Sequence, residues 1–552
     1  MYHMSVDPMS LFGYYPAVPE SPAGVMATDI RATLDAILRH QPWLSELFAI
    51  LPLAVFLDFI DISRKLHIFQ LVGAVPVWSW PVTPAASRIL FAGRSDEGFE
   101  GDDDDRQPSP CHLDAYGESP QWMAIDGRHG DHYVVANSET VRRCISASPS
   151  HLIPNKHVNM QNKDARVHQL EIIRVTKTSS SARSANNGSL PSINRSLDTW
   201  RRHSTTRFVV VSGLGRVLMA LLITAAIVLD YPWGATFLTS ICLTGFMVHL
   251  LHGRQHRRLV HDSPSGTERM IIVSENSSTT SWKAFYGDSA TLKSLLSLPL
   301  RPEPLHMTPA FRRALRLVLR ILILTQWATA VGAAAKRDWD SVFIFLWIVF
   351  SVATDGSILT PAAGARAWMR SHAGIAIERY RLKLSSRRSL LSSLLALNPD
   401  TAPLSPDFDK YSDTHSEMQG QQGLDAPSQM GWLDPLLRDS PARKRWEEAS
   451  RRALSETFSQ FSVQEVAADG NEEKFWQSAN LTWQTDYDGT TARRLQRLSK
   501  EKSGSSLSKM TTTTKPDHWV SNVQEGLYVA ARVQAEAERL LAEARARGTH
   551  GW

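Results

Sequence analysis

Cysteine is scarce: the 552 residues hold three, Cys111, Cys144 and Cys242. Their wide spacing excludes a CxxC metal site and a disulfide framework. Signatures of common chemistries are missing as well. There is no GxxxxGK[ST] phosphate loop, GxGxxG turn, GxSxG nucleophile elbow, HExxH pair or EF-hand loop. Met1 to Val25 has no basic start followed by an apolar run and carries Pro8, Pro16, Pro19 and Pro22, so no secretory signal is read there. Neither Met1-Tyr2 nor the last residues, Gly548 to Trp552, match a lipidation box, which leaves helices as the means of anchoring.

Charge of one sign is not in large excess either. A net charge of +5 selects no partner by itself, and no nucleic-acid partner is expected from it. The mean hydropathy of -0.22 resembles that of a soluble protein, but long polar stretches dilute apolar runs in any average. The local windows decide.

Four windows are long and apolar. Phe208 to Leu229 and Ala235 to Leu251 flank a turn at Asp230-Tyr231-Pro232-Trp233-Gly234. Leu315 to Ala335 and Ser341 to Thr360 flank Lys336-Arg337-Asp338-Trp339-Asp340. The reading is an α-helical membrane protein with two transmembrane helical hairpins, 208–251 and 315–360, giving four spans. A small cytosolic α+β insert over 252–314 and largely disordered or helical polar tails complete the expected fold class.

Lys and Arg beside the spans set the expected orientation. Arg201, Arg202 and Arg207 precede the first hairpin, and Arg254, Arg257 and Arg258 follow it. Arg312, Arg313 and Arg316 precede the second, and Arg366, Arg370, Arg379, Arg381, Lys383, Arg387 and Arg388 follow it. Two hairpins require all four flanks to share a side, so both termini and the insert are expected in the cytosol, at the plasma membrane or an endomembrane.

The other regions read less sharply. In the N-terminal segment 1–93, the runs Leu44 to Ile60 and Leu66 to Trp80 fall short of a span, and Glu46, Pro52 and Asp58 interrupt the first. They read as interfacial, re-entrant or short spans, or as a buried helical pair of a soluble domain. The polar region 94–207 combines solvated stretches with strand-like His132 to Asn137 and Gln169 to Lys177, a possible small β patch. In the insert, Arg269 to Val273 is strand-like, and Asp288 or Ser289 can cap a helix presenting Leu292, Leu295 and Leu296 on one side. The tail 361–552 is helix-prone near 440–465, beginning at Ser440-Pro441, and near 520–547. The second of these carries Val523, Leu527, Ala531 and Leu541, a stripe that a partner protein's helix could use or that could stay a solvated single helix.

Few residues invite a chemical role. His249, His252 and His256 stand at i, i+3 and i+7, with His261 beyond, a spacing that could present imidazoles to a metal if the span continued as a helix. Arginines intervene and no partnering carboxylate stands at a fixed short spacing, and His is ordinary at a cytosolic span end, so no cofactor is expected. Arg312, Arg316 and Arg320 form an i, i+4, i+8 stripe suited to anionic lipid headgroups. Arg216 and Arg320 sit where a long side chain can snorkel outward. Thr224, Thr325, Gln326 and Asp355 are the polar residues of the spans that a transporter could use.

Trp282-Lys283-Ala284-Phe285-Tyr286-Gly287-Asp288, the Leu-rich Leu292 to Leu300, and Gln326 to Ser341 resemble a group of uncharacterised fungal multi-pass membrane proteins. The likeness covers about Phe208 to Ile377. It implies that the W-x-x-F-x-G-D segment lies between spans and that the lysine-containing turn precedes the last one. It carries no known activity. The expected function is therefore a non-enzymatic multi-pass membrane protein, with a transporter or channel subunit, or a metal-dependent membrane enzyme using the His cluster, as alternatives.

Overall fold

The computed structural model describes residues 22–57, 61–73, 75–91, 111–117, 119–155, 167–178, 206–252, 257–260, 266–276, 278–302, 308–358, 360–399, 430–441, 443–444, 446–448, 450 and 519–546. They fall into two compact units: a helical unit drawn from 1–105, 204–256 and 304–360, and a sheet unit drawn from 106–203, 257–303 and 361–552. In chain order the helices are α1 (Pro22–His40), α2 (Pro42–Ile50), α3 (Ile62–Val72), α4 (Pro84–Phe91), α5 (His112–Tyr116), α6 (Ser138–Ala147), α7 (Thr206–Val228), α8 (Pro232–His252), α9 (Ser289–Leu292), α10 (Pro309–Lys336), α11 (Asp340–Ile358), α12 (Pro361–Trp368), α13 (Arg387–Leu397) and α14 (Trp519–Ala546). The strands are β1 (Met123–Asp126), β2 (His132–Val134), β3 (Ser150–Leu152), β4 (His168–Lys177), β5 (Arg257–Arg258), β6 (Glu268–Ser274), β7 (Ser281–Asp288), β8 (Arg301–Pro302) and β9 (Ile375–Leu384).

The helical unit is built on two hairpins, α7–α8 and α10–α11. Among the described residues, three helices are long and apolar enough to cross a membrane, Val210–Val228, Pro232–His252 and Ala310–Lys336. The expected fourth, α11, is not in that set. Its described side chains stop at Asp355, and acidic residues stand at both ends of that stretch. Both hairpins turn at the same end of the bundle, because the Asp340 carboxylate accepts the Gly234 backbone N–H at 2.8 Å. Each turn contains a left-handed non-glycine residue, Asp230 with φ 57° and Arg337 with φ 54°, which reverses the chain in few residues.

Two apolar layers fill the unit. Toward the turn end, Val55, Trp78, Met219, Phe237, Ile241, Ala330, Ile344 and Trp347 pack together. Toward the open end, where the hairpin termini lie, Ile62, Leu66, Phe69, Trp80, Val82 and Leu90 pack against Val248, Leu251, Leu315, Leu319 and Ile323. The N-terminal segment, weak as a pair of spans in sequence, is thus threaded through both layers.

The sheet unit holds seven strands in the order β2-β1-β6-β7-β4-β9-β3. β6 and β7 form an antiparallel hairpin, β7 pairs parallel to β4, and β4 pairs antiparallel to β9 from His168↔Leu384 to Lys177↔Ile375. The insert is therefore not a small α+β unit of its own. Its strands β6 and β7 lie mid-sheet, next to strands from 106–203 on both sides, the tail contributes β9, and β5 and β8 of the insert pair with each other in a separate two-stranded sheet. Three helices follow strands directly. Asp288 caps α9 through the Thr291 N–H at 3.0 Å, and Ser386 caps α13 through the Ser389 N–H at 3.1 Å. α6 is capped from a distance instead: Asp114 accepts the Glu139 and Thr140 N–H groups at 2.8 and 3.0 Å. Burial pushes that carboxyl up to about 6 although these hydrogen bonds favour its charged form.

The tail helix α14 belongs to this core. Val523, Leu527 and Ala531 are buried with Leu390, Leu394, Trp282 and Leu382. Three of the four residues of the stripe expected to be solvated or to meet a partner helix, Val523, Leu527 and Ala531, are thus covered within the chain. α14 approaches α13 closely at Gly526, where a Cβ would lie 2.5 Å from the Ser392 Cβ. Beside it Glu525, 3% exposed, accepts the Ser385 N–H at 3.0 Å, the Ser389 hydroxyl at 2.6 Å and the Asn155 amide at 2.7 Å, with the Ser385 hydroxyl as a further donor. Glu525→Ala strands these donors and is expected to cost about 2–3 kcal/mol. Limited proteolysis of the full chain checks it: cleavage within α14 should speed up, and an unchanged rate would refute the pinning role. The helix expected near 440–465 is described only to residue 450, and in that part Trp446 is buried in the same core; the rest of it lies outside the described residues.

Candidate functional site

The most unusual chemistry of the helical unit lies in the stretch between α3 and α4. Asp61 caps α3 through the Arg64 N–H at 2.9 Å, and Gly73, with φ 74°, ends the helix in the left-handed region. Between these caps α3 has little solvent face: Ile62, Lys65, Leu66, His67, Ile68, Phe69 and Leu71 are all buried. Lys65, 3% exposed, cannot remain there without partners. Its ammonium donates to the Ser79 carbonyl, pairs with Asp355 Oδ1 at 3.3 Å and lies 5.6 Å from the Trp80 ring centre.

The irregular chain from Val75 to Thr83 is buried among the helices, and their side chains serve its backbone. Gln326 Oε1 accepts the Val82 N–H at 3.2 Å, Trp327 Nε1 donates to the Val82 carbonyl at 2.7 Å, and Trp347 Nε1 donates to the Trp78 carbonyl at 3.2 Å. The Trp78 indole in turn donates to the Ser212 carbonyl at 3.3 Å. Gln326 continues the chain of hydrogen bonds by donating to Thr244 Oγ1 at 2.7 Å. Ser351, one turn before Asp355 on α11, has a fully buried hydroxyl without a hydrogen-bond partner among the described residues. A cation, a carboxylate and a backbone carbonyl thus meet inside the bundle, and the same buried chain, three residues further on at Val82, is held by the Gln326 amide, which is itself bonded to Thr244. Such a set can hold a small ion, a water or a proton in transit.

Of the residues singled out in sequence, Gln326 and Asp355 belong to this site. Thr325 does not, since it donates to the Ile321 carbonyl of its own helix at 2.9 Å, and Thr224 is exposed. His249 and His252 lie half-buried on the last turn of α8, with the His249 ring 5.8 Å from that of Phe69. α8 ends at His252, and His256 and His261 lie outside the described residues. Among the described residues neither His249 nor His252 joins a group of three ligating side chains. Arg312 and Arg316 are half-buried and Arg320 exposed on the first half of α10, whose N-cap is Thr308. Arg216 is exposed on α7.

Lys65 was missed because it reads as part of the charged break Asp61-Ile62-Ser63-Arg64-Lys65 between two weak apolar runs. One signal was available. A lone lysine entering an apolar stretch and a lone aspartate in an apolar helix elsewhere are each costly, and each lowers the cost of the other. No family model, no curated protein and no solved structure matches this chain.

Proposed function

We propose that the chain is a non-enzymatic, integral multi-pass membrane protein in which α7, α8, α10 and α11 cross the bilayer and the sheet unit is cytosolic. The observation that carries this reading is strand pairing. β4, β7 and β9 come from three chain segments separated by the two hairpins, yet they are hydrogen-bonded neighbours in one sheet. Each hairpin must therefore leave and return on one side, which requires an even number of crossings. The outward apolar residues of α7, Val210, Leu214, Val217 and Leu221, all more than half exposed, support lipid around it. The buried irregular chain from Val75 to Thr83, with its backbone groups met by protein side chains, is what a membrane interior tolerates. Arg312, Arg316 and Arg320 at the open end suit anionic headgroups.

The test is topological. Lys293, exposed on the sheet unit, carries an engineered cysteine in Lys293→Cys, which should react with an impermeant maleimide in sealed microsomes whose cytosolic face is outward. The sequon at Asn276 should carry no glycan. A glycan on Asn276 would contradict the orientation.

A second reading, a transporter or channel subunit, is supported by the Lys65–Asp355 pair and by the Ser351 hydroxyl one turn before Asp355, which has no partner among the described residues. Buried ionisable pairs in such segments often serve ion or proton pathways.

A further inference from the structure

The contacts of α1 and α2 lie at the turn end of the helical unit, opposite the end from which the chain continues into the sheet segments. Arg31 pairs with Asp230 and lies over the Tyr231 ring, whose centre is 5.5 Å away. Trp339 Nε1 donates to the Leu34 carbonyl at 3.0 Å, Arg337 pairs with Glu46 at 3.2 Å, and the Phe48 and Trp339 rings are 5.2 Å apart. Two turns are involved, one from each hairpin. By Lys65 the chain has reached the open end, at Asp355.

The intervening stretch is Pro42–Phe56, α2 followed by the 3-10 turns of Leu51–Phe56. The tighter helix rises further per residue, so these residues reach roughly 25 Å. That nearly matches a hydrocarbon core about 30 Å thick. Pro52, which breaks the α-helix in sequence, is the second residue of the element that lengthens it.

We infer that Pro42–Phe56 is a fifth crossing and that α1 lies on the membrane face where the two hairpins turn, binding the lipid surface there. This rests on the membrane reading above and changes one part of the expectation, that both termini share a side. α1 has two apolar sides. Leu34 and Leu38 are half-buried, whereas Met26, Ile30 and Ile37, at spacings of four and seven, are exposed at 69%, 47% and 42%. The exposed stripe continues into Trp43, Leu47, Ile50 and Leu53 along the crossing itself. That continuity identifies the occupant as the acyl–headgroup boundary of one leaflet, with Trp43 at the depth where indoles concentrate.

Cysteine accessibility tests it in the full chain, against a background of buried Cys111 and Cys144 and half-buried Cys242. In sealed microsomes Ala36→Cys should resist the impermeant maleimide that labels Lys293→Cys, and should react once a pore-forming toxin admits the reagent. Ile30→Cys should then react about tenfold more slowly than Ala36→Cys, because lipid covers it. Labelling of both Ala36→Cys and Lys293→Cys in sealed microsomes overturns the fifth crossing. Equal rates at positions 30 and 36 overturn the lipid contact. Protection of Lys293→Cys with labelling of Ala36→Cys reverses the orientation proposed above but upholds the crossing. Release of the protein by alkaline carbonate overturns the membrane reading and this inference together.

Discussion

Asp355→Ala is expected to lower the stability of the purified, detergent-solubilised protein by about 3–5 kcal/mol, and by more than Lys65→Ala. The asymmetry follows from burial. The Lys65 side chain is 2% exposed and that of Asp355 is 26% exposed, so removing the carboxylate leaves an ammonium with no solvent access, whereas removing the lysine leaves a carboxylate that water can still reach. Lys65 would keep the Ser79 carbonyl, a neutral acceptor that balances no charge. The double variant Lys65→Met/Asp355→Leu is expected to recover most of the loss, since an apolar pair of similar volume carries no desolvation cost. Thermal unfolding of the four proteins gives the coupling between the two sites. Additive losses, with the double variant the least stable, would sink the pairing. The same cycle bears on the transport reading. A pair whose apolar replacement is as stable as the original is not needed for folding, so its charges require another reason.

How much of this was legible in the sequence depended on period and length. The two hairpins, with turns at Asp230–Gly234 and Lys336–Asp340, announce themselves because long apolar windows have few alternative structures. The Asp288 cap with Leu292, Leu295 and Leu296 behind it was legible for a local reason: a cap and three leucines lie within nine residues, and the leucines are fully buried. β9 was not legible. Ile375–Leu384 carries Glu378, Arg379, Arg381 and Lys383, which look like a basic membrane flank. In the sheet, Arg379 and Arg381 instead meet Glu171 of β4 at 3.3 and 3.1 Å. Two of the arginines counted for orientation therefore have partners from more than 200 positions away, and the count after the second hairpin rests more firmly on Arg366 and Arg370.

The buried site was half legible for a related reason. Gln326 and Asp355 stand out because they interrupt apolar helices, and interruption is a local property. Lys65 and the Val75–Thr83 chain gain meaning from partners in α7, α8, α10 and α11, which no window of sequence contains. The tail helix repeats the pattern: its stripe was visible, but its cover, α13, was not.

Gly245→Ala is expected to break this site from the opposite wall, and its neighbour in type, Gly213→Ala, supplies the control. A Cβ built on Gly245 lies 1.8 Å from the Val77 carbonyl oxygen and 2.7 Å from Trp80 Cδ1, whereas one on Gly213 has nothing within 4 Å. Both glycines are in long helices, where alanine gains about 1 kcal/mol of intrinsic preference. At Gly213 that gain should appear undiminished. At Gly245 the obstacle is backbone, held on either side by Trp347 on the Trp78 carbonyl and by Gln326 and Trp327 on Val82, so it cannot swing aside as a side chain would. The overpacking cost should exceed about 3 kcal/mol and outweigh the helical gain. The second consequence is local. Expelling Val75–Thr83 removes the Ser79 carbonyl from Lys65, so the cost of Asp355→Ala in a Gly245→Ala background should differ from its cost alone, while the Gly213→Ala background leaves it unchanged. Thermal unfolding and the rate of proteolysis within 75–83 measure both effects. Equal behaviour of the two alanine variants would mean that the buried chain is not seated against α8.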